Sequence, residues 1–482
     1  MKLERGARVH FVGVGGAGMS AIAKVLLERG YVITGSDLKA GRAQAVLQAM
    51  GARITVGHDP ALPEGADMVV VSSAIPNTNV ELRRARELGI HVLTRGEALA
   101  EVLSGDRPIV VAGTHGKTTM TSMIIAILRS AGRDPTYLVG GGLNDAGTNA
   151  RSGRDDIAVA ESDESDGSFL LLQPWVSVVT NVEADHLDHW GSLEALEDGF
   201  DRFVAATQAG GGCVLPNGDS RRAALAAERG LKVLTFGPGA EVVPGPGAEE
   251  AAERADVTAS EVATSGGAVA FSLSIGGAGS TAVTLRVPGM HNVANALAAA
   301  AACTLAGLPA GDIAVGLSAY RGVERRFQVK GEQRGVRVID DYAHHPTEVR
   351  AVLAAARSSI APGGRVVAVF QPHRFSRTKA LSEMFGSAFA DADRIVITDV
   401  YGAGEMPVPG VSGKVVADAV AAHLPRRALA YLPHRDELIG FLRASARSGD
   451  SVLTMGAGDI TSVGDELLEL LAEEPAPTRT GA

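Results

Sequence analysis

The chain has 482 residues, 46% hydrophobic and 21% charged, and a formal net charge of -10. That length exceeds one ordinary core and predicts about three domains, while the composition excludes a disordered chain. The negative balance excludes broad attraction to nucleic acid or an anionic membrane, so any anionic ligand needs its own local cations.

Residues 8–14 (RVHFVGV), a glycine turn and a helical pattern over 19–28 predict a strand-turn-helix opening. Apolar runs at 31–34 and 68–71, with a helix over 41–50, continue the alternation of a parallel sheet, and this Rossmann-like domain is expected to span 1–106. A second opening follows: a strand at 109–112, the turn GTHGKTT and a helix over 120–128. Strands at 157–160 and 176–180 end in polar residues, as catalytic loops at the carboxyl ends of parallel strands do. Residues 238–284 read either as a hairpin-rich excursion or as a loosely ordered insertion. After a helix over 292–306, strands at 336–339, 365–370, 394–397 and 451–454 predict a third, Rossmann-like domain. The expected division is thus 1–106, a P-loop-type central domain over 107–323, and 324–482, all α/β, with a frayed tail after about 472. No apolar run of about 18 residues appears, no signal-type stretch follows Met1–Arg8, and Cys213 and Cys303 have no metal-type spacing. These features predict a cytoplasmic chain without membrane insertion or nucleic-acid partner.

The strongest local signal is Gly113-Thr114-His115-Gly116-Lys117-Thr118-Thr119 between a strand and a helix. Glycines let backbone N–H groups approach phosphate, the helix N-terminus and Lys117 add positive charge, and a threonine hydroxyl suits Mg²⁺. The usual phosphate-loop pattern requires glycine where Val111 stands, so the match is imperfect. At the amino end, Gly13, Gly15 and Gly18 satisfy G-x-G-x-x-G, and Asp37 lies 19 positions further on. Asp37 suits ribose hydroxyls or the polar edge of a uracil ring equally, so the motif indicates a nucleotide diphosphate and leaves a nicotinamide-dependent dehydrogenase open. Two acidic strand ends, 161–166 (ESDESD) and 180–189 (TNVEADHLDH), offer metal-capable groups beside the lysine loop. Asn292 and Asn295 share a helix face and suit either a purine edge or helix capping. Arg325-Arg326, the 340–346 run (DDYAHHP) and the 371–377 run (QPHRFSR) place arginines beside histidines, a pairing that suits carboxylate and phosphate recognition.

Taken in order, GVGGAGMS, AGTHGKTT, ESDESDGSF, NVEADHLDH, HNVANA, DDYAHHPTE, QPHRFSRT and GAGDI resemble the Mur ligase family over nearly the whole chain, and within it the alanine-adding branch. The resemblance implies three domains that bind UDP-sugar, ATP and amino acid. It implies Gly15, Gly16, Gly18, Asp37 and Ser72 at the UDP moiety, and Gly113, Thr114, His115, Gly116, Lys117, Thr118 and Thr119 at the ATP phosphates. Thr118, Glu161 and His186 would ligate Mg²⁺, with Mn²⁺ as a substitute. Asn292 and Asn295 would face adenine, Asp341 ribose and Arg326 phosphate, while His344, His345, His373, Arg374 and Arg377 would form the amino-acid end. Some relatives carry a carbamylated lysine near the metal, yet no lysine lies between Lys117 and Lys232, as in the alanine-adding branch.

The implied reaction joins L-alanine to UDP-N-acetylmuramate through an acyl phosphate, with Lys117, Glu161, His186, His345 and Arg374 as the catalytic set. His345 and His186 are both eligible to take the amine proton, and closure of the domains is expected to exclude water. A relative that reattaches a recycled peptide to the same sugar nucleotide is the rival within the class. The expected assembly is a monomer or weak homodimer.

Overall fold

The computed structural model describes residues 4–144, 147–237, 255–277 and 279–473. The chain divides into two compact units, Met1–Glu261 with Phe271–Val283 and Ala294–Arg321, and Val262–Ala270 with Thr284–Val293 and Gly322–Ala482.

The first unit contains a five-stranded parallel sheet in the order Arg53–Val56, Val32–Asp37, Arg8–Val12, Met68–Val71, His91–Thr94. Chain order reverses on either side of Arg8–Val12, which places a crevice at the carboxyl ends of Arg8–Val12 and Met68–Val71. Helix Ala17–Glu28 buries Met19, Ile22, Val25 and Leu26, the helical spacing read in the sequence. Strands Arg53–Val56 and His91–Thr94 leave no strand signal in the sequence. Each is a four-residue edge strand with at most one buried side chain, so neither shows an apolar run.

A ten-stranded sheet contains Gly212–Pro216, Val176–Val179, Arg107–Ala112, Ile157–Glu161 and Thr136–Leu138 as parallel neighbours in that order, with Ala150–Arg151 antiparallel at one edge. Arg107–Ala112, Ile157–Glu161 and Val176–Val179 are covered on both faces, which explains their uninterrupted apolar runs. On the other side the sheet continues through Lys232–Phe236, Val257–Ser265, Ala268–Ile275 and Ser280–Leu285. Those last three strands take the hairpin-rich of the two forms open for 238–284. The 238–254 part of that expectation and the tail from 474 lie outside the described residues.

The second unit contains a six-stranded sheet ordered Gln328–Gln333, Val336–Asp341, Asp450–Met455, Arg365–Phe370, Arg394–Ile397, Ala428–Tyr431, parallel except for its first strand. No helix among the described residues is long and apolar enough to cross a membrane.

Candidate active site

Strand Arg8–Val12 feeds a turn in which Gly13 takes φ +82°. The Ser36 carbonyl accepts from the N–H groups of Gly13 (2.9 Å) and Val14 (3.0 Å), and Asp37 Oδ2 accepts from Gly15 N at 2.8 Å. A Cβ on Gly15 would lie 2.8 Å from that carboxylate oxygen, so a side chain there would push Asp37 off the turn. Ser72, at the end of the neighbouring strand, has its Cβ 3.2 Å from where a Gly13 Cβ would stand. The structure therefore brings Gly15, Asp37 and Ser72 together with Gly16 and Gly18, and Asp37 braces the glycine turn. Arg95 lies over Gly18, its Cδ 3.2 Å from a Cβ placed there, and its guanidinium reaches Asp166 at 2.8 Å and Ser168 at 3.1 Å.

In the second sheet of the same unit, Gly113 (φ +139°) and Gly116 (φ +83°) shape the turn before helix Lys117–Ser130. The turn is fastened to the next strand end. Thr114 N donates to Asn181 O (3.0 Å), and the Asn181 side chain accepts from His115 N (3.0 Å) and donates to His115 O (3.1 Å). Thr118 and Thr119 start the helix and are buried, and Asn295 Oδ1 lies 2.7 Å from where a Gly116 Cβ would stand. Lys117 Nζ donates to Gly113 O (2.6 Å), Thr114 O (3.2 Å) and Glu164 Oε2 (2.7 Å).

Glu164 is 1% exposed, and burial pushes its carboxyl up to about 7 against the opposing Lys117 charge, with Asp163 adding to the rise. Burial also works against the Lys117 ammonium, but the charges of Glu164 and Asp163 outweigh it and hold the lysine above its ordinary range. Asp163, Glu164 and His186 present ligand atoms within 4.8 Å of one another, and the Glu161 carboxylate lies against Gly140, where a Cβ would come within 2.1 Å of Oε1.

In the second unit, Asp341 accepts from Phe327 N and Ala343 N, each at 2.7 Å. Burial pushes its carboxyl up to about 6, against Arg326 and those two N–H groups. Asn292 donates to Pro288 O at 2.7 Å. His345 caps helix Pro346–Ser359, its Nδ1 accepting from Thr347 N at 3.3 Å. A ladder of rings crosses the carboxyl ends of the strands. Arg325 and Arg326 lie 5.0 and 5.1 Å from the Tyr342 ring, Tyr342 is 5.3 Å from His344, His344 is 5.6 Å from His373, and His373 stacks on Tyr401 at 5.9 Å. Arg377 Nη1 is 3.4 Å from His373 Nδ1, and Arg374 takes φ +65°, a conformation non-glycine residues adopt at a cost.

Three family descriptions match in sequence: Mur ligase family, catalytic domain over residues 8–107; Mur ligase middle domain over 111–303; and Mur ligase, glutamate ligase domain over 325–458. The chain belongs to the Mur ligase family. Among its relatives, a UDP-N-acetylmuramate–L-alanine ligase of Rubrobacter xylanophilus is 48% identical over 96% of this chain and 100% of its own length. One of Mycobacterium marinum is 46% identical over 98% and 97%. The crystal structure of the UDP-N-acetylmuramate-alanine ligase of Thermotoga maritima superposes with a TM-score of 0.79 at 28% identity, covering 96% of this chain and 99% of that one. A murein peptide ligase of Psychrobacter arcticus shares the fold, with a TM-score of 0.70 at 24% identity over 98% and 100%.

Within this Mur ligase, Glu161 is the one residue of the acidic segment that the family resemblance singles out. The chain turns back after that strand end, which brings Glu164 and Asp163 to Lys117 and His186. The acidic composition was visible, but which carboxylate meets the lysine was not. Asn181 and Tyr401 were passed over too, since neither residue type signals a loop tie or a stacked wall by itself.

Burial and the surrounding positive groups of His344, Arg377, Arg374 and Arg325 push His373 down to about 3. Its ring is therefore neutral from pH 5 to 8. NMR of the imidazole carbon-bound protons, assigned by difference with His373→Asn, is expected to show no titration there, and a midpoint near 6.5 would contradict the packing.

Proposed function

We propose that this chain joins L-alanine to UDP-N-acetylmuramate while ATP is split to ADP and phosphate. The observation that carries the reading is Lys117, held at the mouth of a glycine turn by Gly113 O, Thr114 O and Glu164, with a second glycine turn in the same unit. Two nucleotide-type turns suit a sugar nucleotide and ATP together, and a dehydrogenase leaves the lysine turn without a role. Relatives named for this reaction match over nearly their full length, which also favours free L-alanine over a recycled peptide.

In this reading, Gly15, Gly16, Gly18, Asp37 and Ser72 receive the UDP moiety, and residues 113–119 receive the ATP phosphates. Asn292, Asn295, Asp341 and Arg326 serve the nucleoside and phosphate. A muramate carboxylate oxygen attacks the γ-phosphorus and ADP leaves, while Lys117 offsets charge on the transferring group. The alanine amine then attacks the acyl carbon, phosphate leaves, and the ammonium proton passes to a base. Arg374 and Arg377 hold the alanine carboxylate through guanidinium forks, with His344 and His373 lining that end. With His186 given to the metal, His345 is the candidate base, its Nδ1 accepting from Thr347 N at 3.3 Å.

The donor set fits Mg²⁺. Thr118, Glu161 and His186 would hold it, and the gathering of Asp163 and Glu164 with His186 supports adding these carboxylates. A bound ion supplies charge neutralisation at the phosphates. The proposal takes domains at 1–106, 107–323 and 324–482, and a cytoplasmic monomer or weak homodimer completes it.

The test is coupled phosphate release. Turnover is expected only when ATP, Mg²⁺, UDP-N-acetylmuramate and L-alanine are all present, with a tripeptide unable to replace alanine. Phosphate release that ignores the amino acid would sink the reading.

A further inference from the structure

We propose that Tyr401 sets the upper size limit on the side chain of the amino acid the enzyme accepts, an inference that rests on the amino-acid role proposed for His373, Arg374 and Arg377. The Tyr401 backbone is fastened on both sides of His373: its N–H donates to Pro372 O and its carbonyl accepts from Arg374 N, both at 2.9 Å. The two rings then stack at 5.9 Å with an interplanar angle of 9°. Gly458 fixes the ring from another side. A Cβ there would lie 2.6 Å from Tyr401 Cγ and 2.4 Å from Gln371 Oε1, so a side chain at 458 would force the ring or Gln371 to move.

With its backbone tied twice and its ring stacked on His373 and abutting Gly458, Tyr401 is still 39% exposed. An aromatic ring that stays this exposed while its backbone is tied twice is a wall rather than core packing. It stands beside the two groups that suit an amino-acid carboxylate. Arg377 lies 3.4 Å from the histidine on which the ring stacks, and Arg374 is bonded to the Tyr401 carbonyl. His373 is neutral, so the guanidinium groups supply the charge and the stacked rings supply a flat apolar surface. An acceptor anchored by its carboxylate on those guanidinium forks carries its Cα substituent against that surface. A methyl group fits a short gap, and a branched chain meets the ring.

One methylene more or fewer in such a pocket typically changes kcat/KM by about 10- to 200-fold. Tyr401→Ala is therefore expected to raise kcat/KM for L-2-aminobutyrate and L-valine relative to L-alanine by about tenfold or more, with KM for ATP and for UDP-N-acetylmuramate unchanged. Tyr401→Phe keeps the ring plane and should keep the wild-type ratio. Gly458→Ala crowds the same ring or Gln371, should shift the ratio away from the wild-type value, and serves if Tyr401→Ala does not fold. A purely structural role would lower all three amino acids together. An unchanged ratio in every folded variant, with an active wild type, overturns the size limit alone. A wild type inactive with every amino acid overturns the parent function and this inference with it.

Discussion

Lys117→Ala is expected to abolish coupled phosphate release, with a fall of about 10³-fold or more in kcat. The lysine supplies the one side-chain positive charge of the glycine turn from Gly113 to Thr119, and the transferring phosphoryl group carries its charge on oxygens that need a fixed cation. The variant also changes stability, and the two effects separate. Removing the ammonium leaves Glu164, 1% exposed, without its cation, and breaking a buried pair from one side costs up to about 3–5 kcal/mol. Proton uptake moderates that cost, because the Glu164 pKa already stands at about 7 and rises further without Lys117. The variant's stability should therefore fall as pH rises through neutrality, the direction required when the folded state holds a proton that the unfolded state releases. Lys117→Ala with Glu164→Ala is expected to regain much of that stability in urea unfolding while remaining inactive. A double variant that recovers turnover would remove Lys117 from the chemistry.

The same ion pair marks how much of the site was legible in the sequence. Strand ends were readable because parallel strands buried on both faces give unbroken apolar runs, as at Ile109–Ala112 and Ile157–Ala160. The loops that follow them were readable as chemistry because glycines, a lysine and clustered carboxylates there conflict with simple packing. Pairing within the loops was not readable. Gly113 and Thr180 meet only because Val176–Val179 lies beside Arg107–Ala112, and sequence order does not state that adjacency. Asp37 stands out in the sequence by its spacing from the glycine motif, whereas its bond to Gly15 N, which makes it a brace of the turn, depends on strand register.

Gly113→Ala should be strongly disruptive while leaving every charged group in place. At φ +139° a non-glycine residue is strained, and here there is also no room. The new Cβ would lie 1.9 Å from Thr180 Oγ1, 2.9 Å from Thr180 N and 3.0 Å from Asn181 O. Two of those atoms are backbone, and both are committed: Thr180 N donates to Ala112 O at 2.9 Å and Asn181 O accepts from Thr114 N at 3.0 Å. Retreat would open the seam between two central strands. Strain and overpacking together predict a loss of about 2–5 kcal/mol in urea unfolding, with weakened ATP binding in the surviving protein. Thr180→Ala in the same chain removes the closest clash but neither the dihedral strain nor the backbone contacts, so it should restore only part of the loss. Gly116→Ala is the control. Its Cβ meets the Asn295 carboxamide oxygen at 2.7 Å, a side-chain end rather than backbone, and its cost should be smaller. Equal losses at the two glycines would mean that positive φ alone governs the turn, and that the seam with Thr180 contributes nothing to holding it.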